Sequence, residues 1–178
     1  MKENEEKAAG LDVKAGFPFA FNAWLAAAAQ RNRLARRKGF HFCTCSGIGQ
    51  LQGVIDGLRQ YGAFLVADDV CTGETMQAGG AWFQRRTYTA FVLLRHDFGD
   101  EPGRRAALSP CRELLRQLQS RLLRDARRLF DGLTSLRVER MPVTETGEYF
   151  VTGCSGLYFM LAVDEPVDLS YDDDEWEE

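Results

Sequence analysis

No apolar run in this chain is long enough to cross a bilayer. The longest uncharged apolar stretch, Phe17 to Ala29, falls short of the roughly 20 residues a spanning helix needs, and Pro18 and Asn22 interrupt it. The residues before it include Glu3, Glu5, Glu6 and Asp12, where a secretory leader carries its positive region. The sequence therefore predicts a protein made and kept in a cytoplasm, with no membrane partner. Histidine is scarce, with two in 178 residues, and neither a Gly-x-Ser-x-Gly elbow nor a Walker loop is present. Serine, cysteine and phosphoryl-transfer catalysis thus lack local support, and the sequence predicts no enzyme. Five cysteines, Cys43, Cys45, Cys71, Cys111 and Cys154, are an odd number without framework spacing, as reduced and mostly buried thiols would be. Lysine is also rare: 18 of the 22 basic residues are arginine. That bias favours forked contacts to carboxylate or phosphate over loose point charges.

A hydrophobic fraction of 45% and a charged fraction of 27% set against this length predict one compact core. The net charge of -4 is a sum of opposed blocks. Residues 164–178 hold nine acids and no base, so residues 1–163 carry 22 basic against 17 acidic side chains. The division is a mobile arm over 1–16, a single α+β domain over 17–163, and an acidic C-terminal extension over 164–178. Nucleic acid is not an expected partner, because phosphate neutralisation calls for a clearly basic domain.

Along the domain, Phe19 to Arg37 reads as an Ala-rich helix whose cations gather near its C-terminal end, with Gly39 as a stop. Phe40 to Cys45, about Gly49 to Tyr61, and Ala63 to Ala67 read as strand, helix and strand. Asp68 to Gly80 reads as a long loop or open hairpin connection. Ala81 to Arg95, dense in β-branched and aromatic residues, predicts a long strand with its polar first half projecting from the core. In Ala106 to Phe130, Leu108, Cys111, Leu115, Leu118, Leu122, Ala126 and Leu129 recur at steps of three or four, one apolar stripe of a long helix. Its arginines lie mostly off that stripe, as a solvated polar face or as a surface for another subunit. Leu136 to Arg140, Tyr149 to Thr152 and Leu157 to Val163 read as strands, with turns at Glu145 to Gly147 and Gly153 to Gly156. The fold class is α+β: a mainly antiparallel or mixed sheet packed on one long amphipathic helix and one or two further helices.

Two groups of residues invite chemistry. Gly47, Gly49 and Gly53 between a strand and a helix, with Asp68 and Asp69 after the next strand, echo a dinucleotide-binding turn. Three residues stand before the third glycine where that fingerprint has two, and no second β-α-β half follows, so a plain turn explains them as well. The alternating His41, Cys43 and Cys45 share one face of their strand, but no separated ligand pair completes a zinc set. The sequence predicts neither a metal nor a cofactor.

The order of these elements resembles the tail terminator and tail-completion, or head–tail joining, proteins of long-tailed bacteriophages and prophages. Three stretches carry the likeness: Ala63-Phe-Leu-Val-Ala-Asp-Asp69, Arg85-Arg-Thr-Tyr-Thr-Ala-Phe-Val-Leu-Leu94, and the end from Gly156-Leu-Tyr-Phe-Met-Leu-Ala-Val163 to Tyr171 and Trp176. The likeness implies a non-catalytic subunit that assembles with itself into a ring, typically of six, and meets other tail or neck proteins. It also implies assembly in a host cytoplasm and a place in the virion. A ring built by one repeated contact needs two different complementary patches on each subunit. The acidic extension with Tyr171 and Trp176 as anchors reads either as one such patch, with an arginine face near Arg85, Arg86, Arg127 or Arg128 of a neighbour as the other, or as a frayed acidic tail that serves solubility.

Overall fold

The computed structural model describes residues 19–127 and 134–177. The expected arm over 1–16 lies outside them, as do Arg128, Leu129 and Phe130. Two short helices, α1 (Phe21–Arg31) and α2 (Arg33–Lys38), lead into strand β1 (Phe40–Cys45), helix α3 (Ile48–Gly57) and strand β2 (Ala63–Asp68). Strands β3 (Thr72–Ala78) and β4 (Ala81–Arg95) follow, then the long helix α4 (Glu101–Ala126). Strands β5 (Ser135–Leu136), β6 (Val143–Val151) and β7 (Cys154–Pro166) complete the sheet, and a 3-10 turn over Asp173–Glu175 lies near the end of the chain.

The seven strands form one sheet in which β1 and β2 are parallel and every other pair is antiparallel. β2 pairs with the second half of β4 and β3 with its first half, so the two lie end to end along one edge. β5 and β6 share the far edge of β7 in the same way. The α+β class is as read from the sequence. Alternation along β2 divides the core: Ala63, Leu65 and Ala67 join α1, α2 and α4 on one face, while Phe64 and Val66 join Leu51 and Ile55 of α3 on the other. Among the described residues no helix is long and apolar enough to cross a membrane.

The helix expected over 19–37 is two helices, because Asn32 breaks it. Its backbone is extended, with φ -72° and ψ 125°, and its side-chain oxygen accepts the Ala35 N–H at 2.8 Å, an N-cap for α2. Its amide donates to Gln117 of α4 at 2.8 Å, tying the break to the long helix. α4 begins five residues before the expected Ala106, since Pro102 sits in the first turn, where its missing N–H has no intrahelical partner to lose. Its buried stripe ends on Asp125, which accepts from the Trp24 indole at 2.9 Å and from Arg121 Nε at 2.7 Å. Of the two readings of 68–80, a long loop or an open hairpin connection, the structure shows a closed hairpin: the segment is mostly strand β3, turned onto β4 by Gly79 and Gly80, whose positive φ values of 59° and 82° suit a tight turn. In the last third, Arg137 to Arg140 lie outside the sheet, and the turn placed at Glu145 to Gly147 is strand: Glu145 and Thr146 pair with β7, and the register shifts between Thr146 and Val151.

Gly156, taken from the sequence as a turn residue, lies inside β7 opposite Leu93. A Cβ there would stand 1.9 Å from the Val92 carbonyl oxygen of β4. Gly53, on the exposed side of α3, has nothing within 4 Å of its would-be Cβ. Gly156→Ala is therefore expected to destabilise the fold by about 3 kcal/mol or more. Gly53→Ala should be neutral or stabilise by up to about 1 kcal/mol. Urea unfolding of the two variants checks the contrast, and equal midpoints would contradict this packing of β7 on β4.

Candidate assembly surface

Beyond α3, the sheet continues as a ribbon made of β3, the first half of β4 and the last residues of β7. Its charges form an alternating row across the strands. Glu74 of β3 lies opposite Arg85 of β4, which lies opposite Asp164 of β7. The Asp164 carboxylate is buried and accepts Arg85 Nε at 2.6 Å, Arg85 Nη2 at 3.1 Å and Arg137 Nε at 2.6 Å. Glu74 pairs with Arg85 at 3.3 Å and Glu139 with Arg137 at 3.5 Å. Burial pushes the Asp164 carboxyl up, and the hydrogen bonds from Arg85 and Arg137 outweigh it, holding the group below the usual carboxylate range.

Glu165, next along β7, points to the opposite face. It is buried, lies 3.9 Å from Arg86 and accepts the Phe19 N–H that opens the first helix. These two acids correct the boundary read from the sequence. A domain ending at Val163 cuts through β7, which runs to Pro166 because Asp164 and Glu165 find their cations within the chain. The body over 1–166 thus carries 22 basic and 19 acidic side chains, and residues 167–178 hold seven acids and no base.

Of the residues read from the sequence as an interface, Arg85 and Arg86 lie on this ribbon with partners in their own chain. Arg127 is exposed just past the end of α4. Tyr171 and Trp176 are exposed, with their rings stacked at 6.3 Å. Among the described residues no hydrogen bond or cation–π contact joins either ring to Arg85, Arg86 or Arg127. The extension leaves β7 through a bond from Val167 N–H to the Trp82 carbonyl at 3.0 Å. Sequence patterning does not single out Arg137, because Leu136 to Arg140 reads as a strand of its own. Carrying the β4–β7 pairing through Asp164 is the signal that would have found the row. Beside the row opens a cleft of about 470 Å³, with Arg85, Thr87, Arg137, Arg140 and Met160 among its walls. Its lining supplies guanidinium, carboxylate and hydroxyl groups and no thiol or imidazole.

The other candidates are engaged locally. Gly47, at φ 82°, caps α3, and its N–H donates to Asp68 Oδ1 at 2.8 Å. Val70 N–H donates to the same oxygen at 3.0 Å, and Ser46 Oγ to Asp69 Oδ2 at 2.9 Å. A carboxylate of the chain itself thus occupies the N–H of the glycine turn, and no close approach at Gly53 calls for glycine. The His41 ring stacks on Tyr61 at 3.7 Å. Burial pushes the thiols of Cys43 and Cys45 up to about 11 and about 12, leaving them protonated and weakly nucleophilic. His96 Nε2 lies 2.8 Å from Ser155 Oγ, a serine–histidine contact, but Ser155 is fully buried in β7 and the bond ties the ends of β4 and β7 together.

Asp164→Asn removes the charge between two guanidinium groups that are partly solvated, so the expected loss is roughly 1–3 kcal/mol at about pH 7. Because the folded pKa of Asp164 is depressed, its contribution is complete above the ordinary carboxylate value and disappears as pH falls through the folded value. The wild-type advantage over the variant should therefore shrink in acid. Urea unfolding of both proteins across that range checks it, and a gap that widens in acid would contradict the assignment. Compared with known proteins, the chain matches no family model and no curated protein sequence.

Proposed function

We propose that the chain is a structural assembly protein of a phage or prophage tail or neck, a ring-forming tail terminator that joins the finished tail to the head. The observation that carries the reading is the separation of charge and apolar anchors on one subunit. Residues 167–178 present seven acids with Tyr171 and Trp176 exposed, on a body whose helices display exposed arginines. Two unlike, complementary patches on one chain are what a repeated heterologous contact requires, and such contacts close into rings. The order of elements, with a long strand feeding a long amphipathic helix, supports the same reading through the resemblance described above. Its partners are further copies of itself and neighbouring tail or neck proteins, brought together in the host cytoplasm and retained in the virion.

The alternative of a small-ligand or dinucleotide-binding domain rests on Gly47, Gly49, Gly53 and Asp68. It draws no support from a loop in which Asp68 is already held by the Gly47 and Val70 N–H groups of the chain. Deleting the gene and imaging the particles tests the proposal. Tails of irregular length or heads without tails are the expected outcome, and normal virions would end it.

A further inference from the structure

A groove runs between the C-terminal half of α1 and the middle of α4. Its floor is apolar, made by Trp24, Ala27, Ala28 and Leu118, and its rim carries Arg31, Arg33 and Arg121. At about 320 Å³ it lies at the small end of the roughly 300–1,000 Å³ of ligand-burying pockets, room for an aromatic side chain rather than a helix. The walls are held in place beforehand. Trp24 and Arg121 both donate to the buried carboxylate of Asp125, and the Asn32–Gln117 bond at 2.8 Å spans the two helices. A preorganised wall loses little side-chain entropy on binding. Around the groove the surface stays basic, with Arg36, Arg37 and Lys38 exposed on α2 and Arg124 and Arg127 exposed at the end of α4.

We infer that this groove receives the C-terminal segment Tyr171–Glu177 of a second copy of the chain, with one of its aromatic rings on the apolar floor and its carboxylates against the arginine rim. The segment has the matching chemistry in a short length: two aromatic rings enclosing Asp172, Asp173, Asp174 and Glu175, with Glu177 beyond. Aromatic anchors in preformed pockets dominate interface energies, and charge complementarity fixes which partner and which register. On its own chain the segment leads away from β7 beside Trp82, and its rings stack on each other at 69% and 65% exposure. About two thirds of the surface of each anchor is therefore presented outward. The sequence placed the acceptor face near Arg85, Arg86, Arg127 or Arg128. The apolar floor of the groove and the exposed Arg33, Arg36, Arg37, Lys38, Arg124 and Arg127 around it move the acceptor to this helical face. The inference deepens the ring-forming reading and rests on it for closure of the ring, but the contact itself is testable alone.

The test is disulfide trapping in the full chain, in a Cys71→Ser background because Cys71 is exposed. Ala28→Cys in the groove of one preparation is mixed with Glu175→Cys in another under a mild oxidant. A disulfide-linked dimer of the two variants is expected, falling about tenfold when Arg31→Glu and Arg33→Glu are added to the groove partner, as charge reversal of a complementary contact requires. Should that double variant fail to fold, a synthetic peptide of residues 167–178 replaces it and is expected to compete the cross-link away. A cross-link no stronger than one made with Asp56→Cys on α3, across the sheet, would overturn the inference. So would a concentration-independent intramolecular bond in a chain carrying both cysteines, or a cross-link indifferent to both the charge reversal and the peptide. Normal virions from the gene deletion with the cross-link intact would remove the terminator reading and leave the contact standing. A tail defect without the cross-link would remove the contact alone.

Discussion

β4 and β7 pair from Phe83 opposite Pro166 to Arg95 opposite Cys154, and the placement of every other element follows from that antiparallel pair. Each strand is longer than any strand on its other side, so each is flanked there by two shorter strands end to end. One half of the pair is buried between α4 on one side and α3 on the other, while the other half extends past α3 as a ribbon. The tight contact of Gly156 with the Val92 carbonyl locks the register at the buried end. At the other end Arg85 and Asp164 meet by that same register, and a one-residue slip would bring like-facing charges out of line and turn apolar residues to water.

The register also decides how the charges of the chain are divided. A tail of nine acids on a basic body suggests that all nine await a partner. Asp164 and Glu165 are instead buried in the sheet and serve the fold, one between two arginines and the other against Arg86 and the first helix. The acids beyond Pro166 have another role open to them, because their aromatic companions Tyr171 and Trp176 stay exposed. Charge in this molecule thus falls into an internal set, which pins the ribbon and the entry of α1, and an external set, which is exposed on residues 168–177.

What was legible in the sequence was whatever has a strong period or a single dominant cause. The stripe of α4 was visible because Leu115, Leu118 and Leu122 recur at helical spacing. β4 was visible because aromatic and β-branched residues crowd fifteen positions. β3 was not, because Thr72 to Ala78 is polar and mostly exposed, so its strand character comes from pairing with β4 and from the Gly79-Gly80 turn. The break at Asn32 was hidden by alanines that suit a helix on either side. Gly156 looked like turn chemistry because its real constraint is a neighbouring backbone, which no local pattern encodes. The candidate surface was half legible. Tyr171 and Trp176 stood out by type, while Arg137 and the groove around Arg31 and Arg33 exist only once α1, α4, β5 and β7 are brought together.

The central claim is that this chain acts as a structural part at the junction of a tail and a head. Gold labelling of the protein in purified particles, read by electron microscopy, tests that claim most directly. The account predicts one cluster of label where the tail tube meets the head. Label spread along the tube, or absent from every particle, would contradict it.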